Sequence, residues 1–151
     1  MKDLQIILSQ SPVFLNQWSS PFQVIADFED VSLCEEDYND SHFGSNKLNE
    51  YQMKDAIKMT QALLKHAKEH ILFASYSYAD YSGDAWVLFE KDGKLYEVNG
   101  GHCSCYGLEG QWEPEEVNLK EIENRIRGKE WGKDDNNFRE ELMKFLGVNE
   151  E

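Results

Sequence analysis

The sequence predicts an α+β fold, a three-stranded antiparallel meander with helices packed on one face. Three observations predict it. Residues 72–78 and 85–99 carry apolar residues in the runs and alternations of strands. Asp92-Gly93 stands between two of those runs, the strongest short-range signal for a β-hairpin. Three further stretches, 48–70, 118–127 and 136–146, repeat apolar residues at helical spacing. A chain of 151 residues fits one domain and is long enough to bury a core without cross-links.

In chain order, FQVIADF at 22–28 alternates Phe22, Val24, Ala26 and Phe28 and reads as a half-buried strand able to join the meander. The acidic, turn-rich stretch 34–46, CEEDYNDSHFGSN, reads as a loop. The clearest helix spans 48–70, with Asn46 or Asn49 as cap and a stripe of Met53, Ala56, Ile57, Thr60, Leu63, Leu64, Ala67 and Ile71 expected to cover the sheet. In 72–78, Leu72, Ala74, Tyr76 and Tyr78 oppose Ile71, Phe73, Ser75 and Ser77 across the strand. After a turn flanked by Asp80 and Asp84, strands 85–91 and 94–99 follow, joined through a type I′ turn at Asp92-Gly93. Asn118 with Glu121 forms a capping pattern for helix 118–127, which stops at Gly128. Phe138, Leu142, Phe145 and Leu146 share one side of the last helix, which ends at Gly147.

Charge is the most extreme global feature. Twenty-nine acids against fifteen bases give a net charge of −14. Such a chain is repelled by nucleic acid and anionic membrane and attracted to basic surfaces. The acids are also segregated. Residues 3–46 hold no Lys or Arg but collect Asp27, Glu29, Asp30, Glu35, Glu36 and Asp37. A second base-free stretch, 95–119, holds Glu109, Glu113, Glu115 and Glu116 around Trp112. Carboxylates arrayed in this way can mimic the phosphates of a nucleic acid, with Trp112 as an aromatic anchor, and so offer a docking face for a basic protein. Solubility alone is the plainer account of an acidic composition.

The segment NGGHCSCYGLEGQWEPEE, 99–116, raises chemical alternatives. His102, Cys103 and Cys105 bear zinc-ligand or nucleophile chemistry. His66 and His70, at i and i+4, would complete a set with Cys103 and Cys105 if the helix end packed over the third strand. The C-x-C spacing is tighter than in the usual zinc knuckle, and on a strand His102 faces away from Cys103. The expectation is therefore structural: Cys103 and Cys105 as small buried hydrophobes that close the third strand. No phosphate-cradling glycine loop and no basic stripe is present, and the sequence favours a binding protein over an enzyme, with no cofactor.

From ILFASYSYAD through the HCSC turn to GLEGQWEPEE, residues 70–120, the chain resembles a group of small uncharacterised proteins from bacteriophages and prophages. That resemblance implies a phage or prophage product in a bacterial cytoplasm. It implies no reaction and carries over no functional residue. The weak N-terminal apolar run, the odd cysteine count and the lack of a membrane-length apolar segment agree with a cytoplasmic setting. The expected function is an acidic phage-borne protein that binds, and inhibits, a basic surface of a host nucleic-acid-handling protein. A zinc- or thiol-dependent protein using His102, Cys103 and Cys105 is the alternative.

Overall fold

The computed structural model describes residues 1–41, 48–79, 82–103, 107–128, 131–133 and 136–149. Its elements are α1 (Leu4–Ser9), β1 (Val13–Asn16), α2 (Pro21–Phe28), α3 (Glu35–Ser41), α4 (Glu50–Lys65), β2 (His70–Ala79), β3 (Ser82–Lys91), β4 (Lys94–His102), β5 (Glu115–Val117), α5 (Leu119–Arg127) and α6 (Arg139–Leu146). The fold is α+β. The sheet runs β1-β2-β3-β4-β5 in space, antiparallel throughout except that β1 lies parallel to β2.

The hairpin turn forms as its chemistry requires. Asp92 and Gly93 take φ of 53° and 81°, and Lys91 pairs with Lys94 across the turn. The third strand is longer than its apolar run, reaching His102 instead of stopping near 99. One residue modifies the alternation in β2. A register shift between Ile71 and Phe73 puts Leu72 and Phe73 in the same core. Ile71, Ala74 and Tyr76 then face the opposite one.

Both faces of the sheet are buried, not one. On the first, α1, α5 and α6 pack Ile7, Ile122, Ile126, Leu142 and Leu146 against Phe73, Trp86 and Leu88. On the second, α2 lays Val24 and Phe28 over Ile71, Val87, Phe89 and Val98. Residues 22–28 are thus helical. Ser20 caps the helix by accepting from the Gln23 N–H, and Pro21 at its first position suits the fixed φ of proline. The apparent alternation arises because α2 is buried on two sides: Phe22, Ile25 and Ala26 face away from the sheet, toward α3 and α4.

Further corrections concern 34–46 and the long helix. Glu35–Ser41 is a helix with three acids in its first turn, where they complement the helix dipole; 42–47, including the Asn46 cap candidate, lie outside the described residues. The helix predicted over 48–70 runs Glu50–Lys65, with a capping box of Asn49 and Gln52, and His70 already begins β2. It packs on α2 and α3, not directly on the sheet, through Ala56, Met59 and Ala62. Much of the predicted stripe therefore points outward: Met53, Ile57 and Leu64 are 43%, 59% and 73% exposed, while Met59 is fully buried.

Asn118 caps α5, accepting from the Glu121 N–H at 2.9 Å. Gly147 ends α6 in the left-handed region at φ 75°, as the sequence predicts. Among the described residues no helix is long and apolar enough to cross a membrane.

Candidate functional site

A cleft of about 580 Å³ opens where α2, the segment after it, and the ends of β2 and β4 meet. Its acids come from both base-free stretches: Asp27, Asp30 and Glu35 from one, Glu109 from the other. No Lys or Arg lines it among the described residues. Lys58 of α4 reaches Asp30 from behind at 3.9 Å, an exposed pair of little strength.

Each wall is held by a local device. The segment 107–111 is tied to β4 by one side chain. Gln111 accepts from the Gly101 N–H and donates to the carbonyls of Gly101 and Gly107, all at 2.7 Å, completing the strand end as a neighbouring strand would. Leu108, nearly fully buried, plugs the space beside Phe28. Gly100 makes this approach possible, since a Cβ there would sit 3.0 Å from Leu108 and 3.3 Å from Phe28. Glu109 is thereby presented at the cleft.

The aromatic wall comes from β2 and β4. Tyr78, 47% exposed, lies with its ring centroid 4.6 Å from that of His102. The buried Tyr76 ring packs against His102 at 6.5 Å and Trp18 at 5.1 Å. Burial foremost, then Asp27, Tyr78 and Glu109, push the Tyr76 hydroxyl up to about 12, so it remains a neutral donor. Asp27 opens to the cleft, yet desolvation by the surrounding protein raises its pKa despite the Trp18 Nε1–H donated to Oδ2 at 2.7 Å and the nearby His102. His102 Nδ1 is buried with no hydrogen-bond partner. A smaller chamber of about 470 Å³ continues past His102 and Glu109, which line both, to Asp84, Gly101 and Cys103.

Comparisons with protein-family models, with curated proteins and with solved structures find no match. Geometry and chemistry carry the functional reading.

The other predicted residues take distinct places. Glu29 is committed internally: its Oε1 accepts from Lys65 Nζ and from His66 Nε2, both at 2.8 Å. Burial would raise its pKa, but these two partners outweigh it and hold the carboxyl below its ordinary value. Glu36 is exposed and Asp37 half-buried on α3. Glu113 is exposed on the segment leading to β5, and Glu115 and Glu116 are exposed on β5 itself, pairing with Glu97 and Tyr96 of β4. Trp112 is half-buried and braces the core, with its ring against Phe28, Phe89 and His66 at 5.0, 5.5 and 5.0 Å.

The predicted ligand set is not assembled. His66 is 3% exposed with both nitrogens facing carboxylates, Glu69 at Nδ1 and Glu29 at Nε2. His70 is exposed at the start of β2, and Cys105 lies outside the described residues, as does Asp80. Among the described residues no three His, Cys, Asp or Glu gather as metal ligands. Cys103 is exposed, not the buried hydrophobe expected, because β4 ends at His102 before it. Cys103→Ala is accordingly expected to change unfolding free energy by less than about 0.5 kcal/mol in a urea titration. A loss above about 1 kcal/mol would restore the packing role.

From the sequence Tyr76 and Tyr78 could stack on a ligand and Asp84 could bind a cation, but a strand and a hairpin turn account for them as well, and the sequence does not assign them to the site. Their signal was present in the two-residue spacing of the tyrosines, which sets both on one face of a strand.

Proposed function

We propose that this is an acidic interaction protein, of phage or prophage origin and acting in a bacterial cytoplasm. Its cleft receives a basic part of a host protein that handles nucleic acid, and binding inhibits that host protein. One observation carries the reading. Acids from two sequence stretches that lack Lys and Arg converge on one concave site whose walls are tyrosine, imidazole and carboxylate. Such a site attracts cations through charge and through the π faces of its rings. Glu113, Glu115 and Glu116, exposed on and before the edge strand β5, add to the negative field of the chain, acting on the rate of encounter more than on the bound state. A partner evolved to hold phosphates would meet carboxylates in their place.

The test is charge reversal in two separate groups, with capture from bacterial lysate at low and physiological salt. Asp27→Lys with Glu35→Lys should abolish capture. Glu113→Lys with Glu115→Lys and Glu116→Lys should slow association about tenfold while leaving dissociation nearly unchanged. Duplex DNA should compete with the wild-type protein for the captured partner. Capture that survives both reversals, or that DNA does not reduce, would show that these acids serve solubility alone.

A further inference from the structure

We infer that the partner enters the site as an extended segment with two cationic side chains, the first an arginine in the larger chamber and the second a cation in the smaller. This rests on the basic-partner reading above and specifies what occupies it. The two chambers share His102 and Glu109, which stand at their common boundary. An extended strand can reach both, because its side chains project at regular intervals and pass the residues between them.

The larger chamber suits a guanidinium. Tyr78 and His102 offer adjacent ring faces tilted by 47°, with Tyr78 open to solvent. A guanidinium stacks flat on such faces and is weakly hydrated, whereas an ammonium is compact and keeps its water. The acceptors around the rings are carboxylates that each have one oxygen already taken. Asp27 Oδ2 is taken by Trp18, leaving Oδ1; Glu109 Oε1 accepts from the Gly107 N–H at 3.3 Å, leaving Oε2. The Tyr76 hydroxyl lies within the field of both carboxylates. A planar group with five N–H donors can satisfy several such oxygens while it stacks. In the smaller chamber Asp84 and Glu109 supply carboxylates without a large aromatic wall, which suits either type of cation.

The experiment uses short glycine-serine peptides at physiological salt and calorimetric titration of the whole chain. One peptide carries a single arginine. Others carry two, separated by one, two or three serines. Lysine and citrulline versions serve as controls. At least one two-arginine spacing should bind about tenfold more tightly than the single arginine, through the raised effective concentration of the second group. Lysine should bind severalfold more weakly than arginine, and citrulline not at all. Asp84→Asn should remove the gain from the second arginine and leave single-arginine affinity intact. Asp27→Asn and Tyr78→Ala should weaken the single arginine itself, with folding of each variant confirmed by circular dichroism.

The inference is overturned if two arginines bind within about twofold of one, the statistical limit for independent sites. It is equally overturned if Asp84→Asn has no effect or if lysine matches arginine. Loss of the peptide effects with lysate capture still dependent on Asp27 and Glu35 would sink the extended-segment inference and leave the basic-partner reading standing. Absence of both would sink both.

Discussion

Arg125→Ala is expected to destabilise the protein by about 3–5 kcal/mol, the range found when one member of a buried ion pair is removed. Glu97 lies on β4 beneath α5 with only 4% of its surface exposed. Arg125 grips it with two nitrogens, one to each oxygen at 2.7 Å, while Trp86 Nε1 donates at 3.0 Å. The guanidinium also lies over the Trp131 ring at 5.4 Å. Burial acts to raise the Glu97 pKa, but its donors, Arg125 first, bring it below the ordinary value of 4.5. The pair's stabilisation is therefore present above that value and is lost as pH falls through the lowered one.

Without Arg125 the burial is opposed only by neutral donors, and the Glu97 pKa moves up. The deficit of Arg125→Ala should then be largest at neutral pH and shrink toward pH 4.5, read by urea unfolding across that range. Glu97→Gln should cost less, about 1–2 kcal/mol, because Trp86 keeps an acceptor and Arg125, a third exposed, can turn to water. Equal costs for the two variants would contradict this account.

The second large effect is expected at His66. Burial disfavours its charged form, but hydrogen bonds and charge from Glu69 and Glu29 outweigh burial and raise its pKa above 6.5. A group whose pKa rises on folding stabilises fully below its unfolded value and loses that contribution as pH climbs through the folded one. The contribution of His66 should accordingly be complete just below about pH 6.5, the unfolded value, while its carboxylate partners stay ionised, and should fall as pH rises through the raised folded value. Above the transition a neutral ring can donate to one carboxylate only, and its other nitrogen turns a lone pair toward the second.

His66→Ala should lose about 3 kcal/mol at neutral pH, since the largely buried Glu69 loses this cation and Glu29 is left with Lys65. The variant should also lack this decline above about pH 6.5. Trp112, whose ring edge meets His66, supplies the fluorescence readout. A pH profile unchanged in His66→Ala would remove this histidine from the explanation.

The central hairpins were legible because their cues are local. Asp92-Gly93 dictates a turn by backbone sterics and Gly147 ends α6 in the left-handed region for the same reason, while Asn118 starts α5 by accepting from the Glu121 N–H and Gly128 ends it in an ordinary right-handed conformation. The elements misread are those whose identity depends on what packs against them. Phe22, Val24, Ile25, Ala26 and Phe28 are apolar at both parities because α2 lies between the sheet and two other helices, which erases the single stripe that marks a helix. Ser20-Pro21 with Gln23 was the available helical signal, and it was weaker than the alternation. In α4 the sequence offers two apolar stripes. Only the position of α2 and α3 decides that Ala56, Met59 and Ala62 face inward while Ile57 and Leu64 do not.

The acids were legible one by one, but their convergence was not. Asp27 and Glu109 meet through the packing of Leu108 on Phe28 and the clasp of Gln111 on β4, contacts made across the fold. The packing of Trp112 under His66 was not legible either, because it depends on where α4 ends.

The parallel strand β1 has a kinetic consequence. The antiparallel hairpins from β2 to β4 close over two-residue turns and can form as soon as they are made. Pairing β1 with β2 must close the intervening chain from Asn16 to Phe73, three helices included, and long-range pairing of this kind is slow. The wait of the first helix is longer still. The Lys2 N–H donates to the Leu146 carbonyl at 2.7 Å and Gln10 Nε2 to that of Phe145 at 2.8 Å. These bonds join the elements of the fold furthest apart in sequence, so they form only once α6 is in place, and the seam between α1 and α6 is among the last parts of the structure to close.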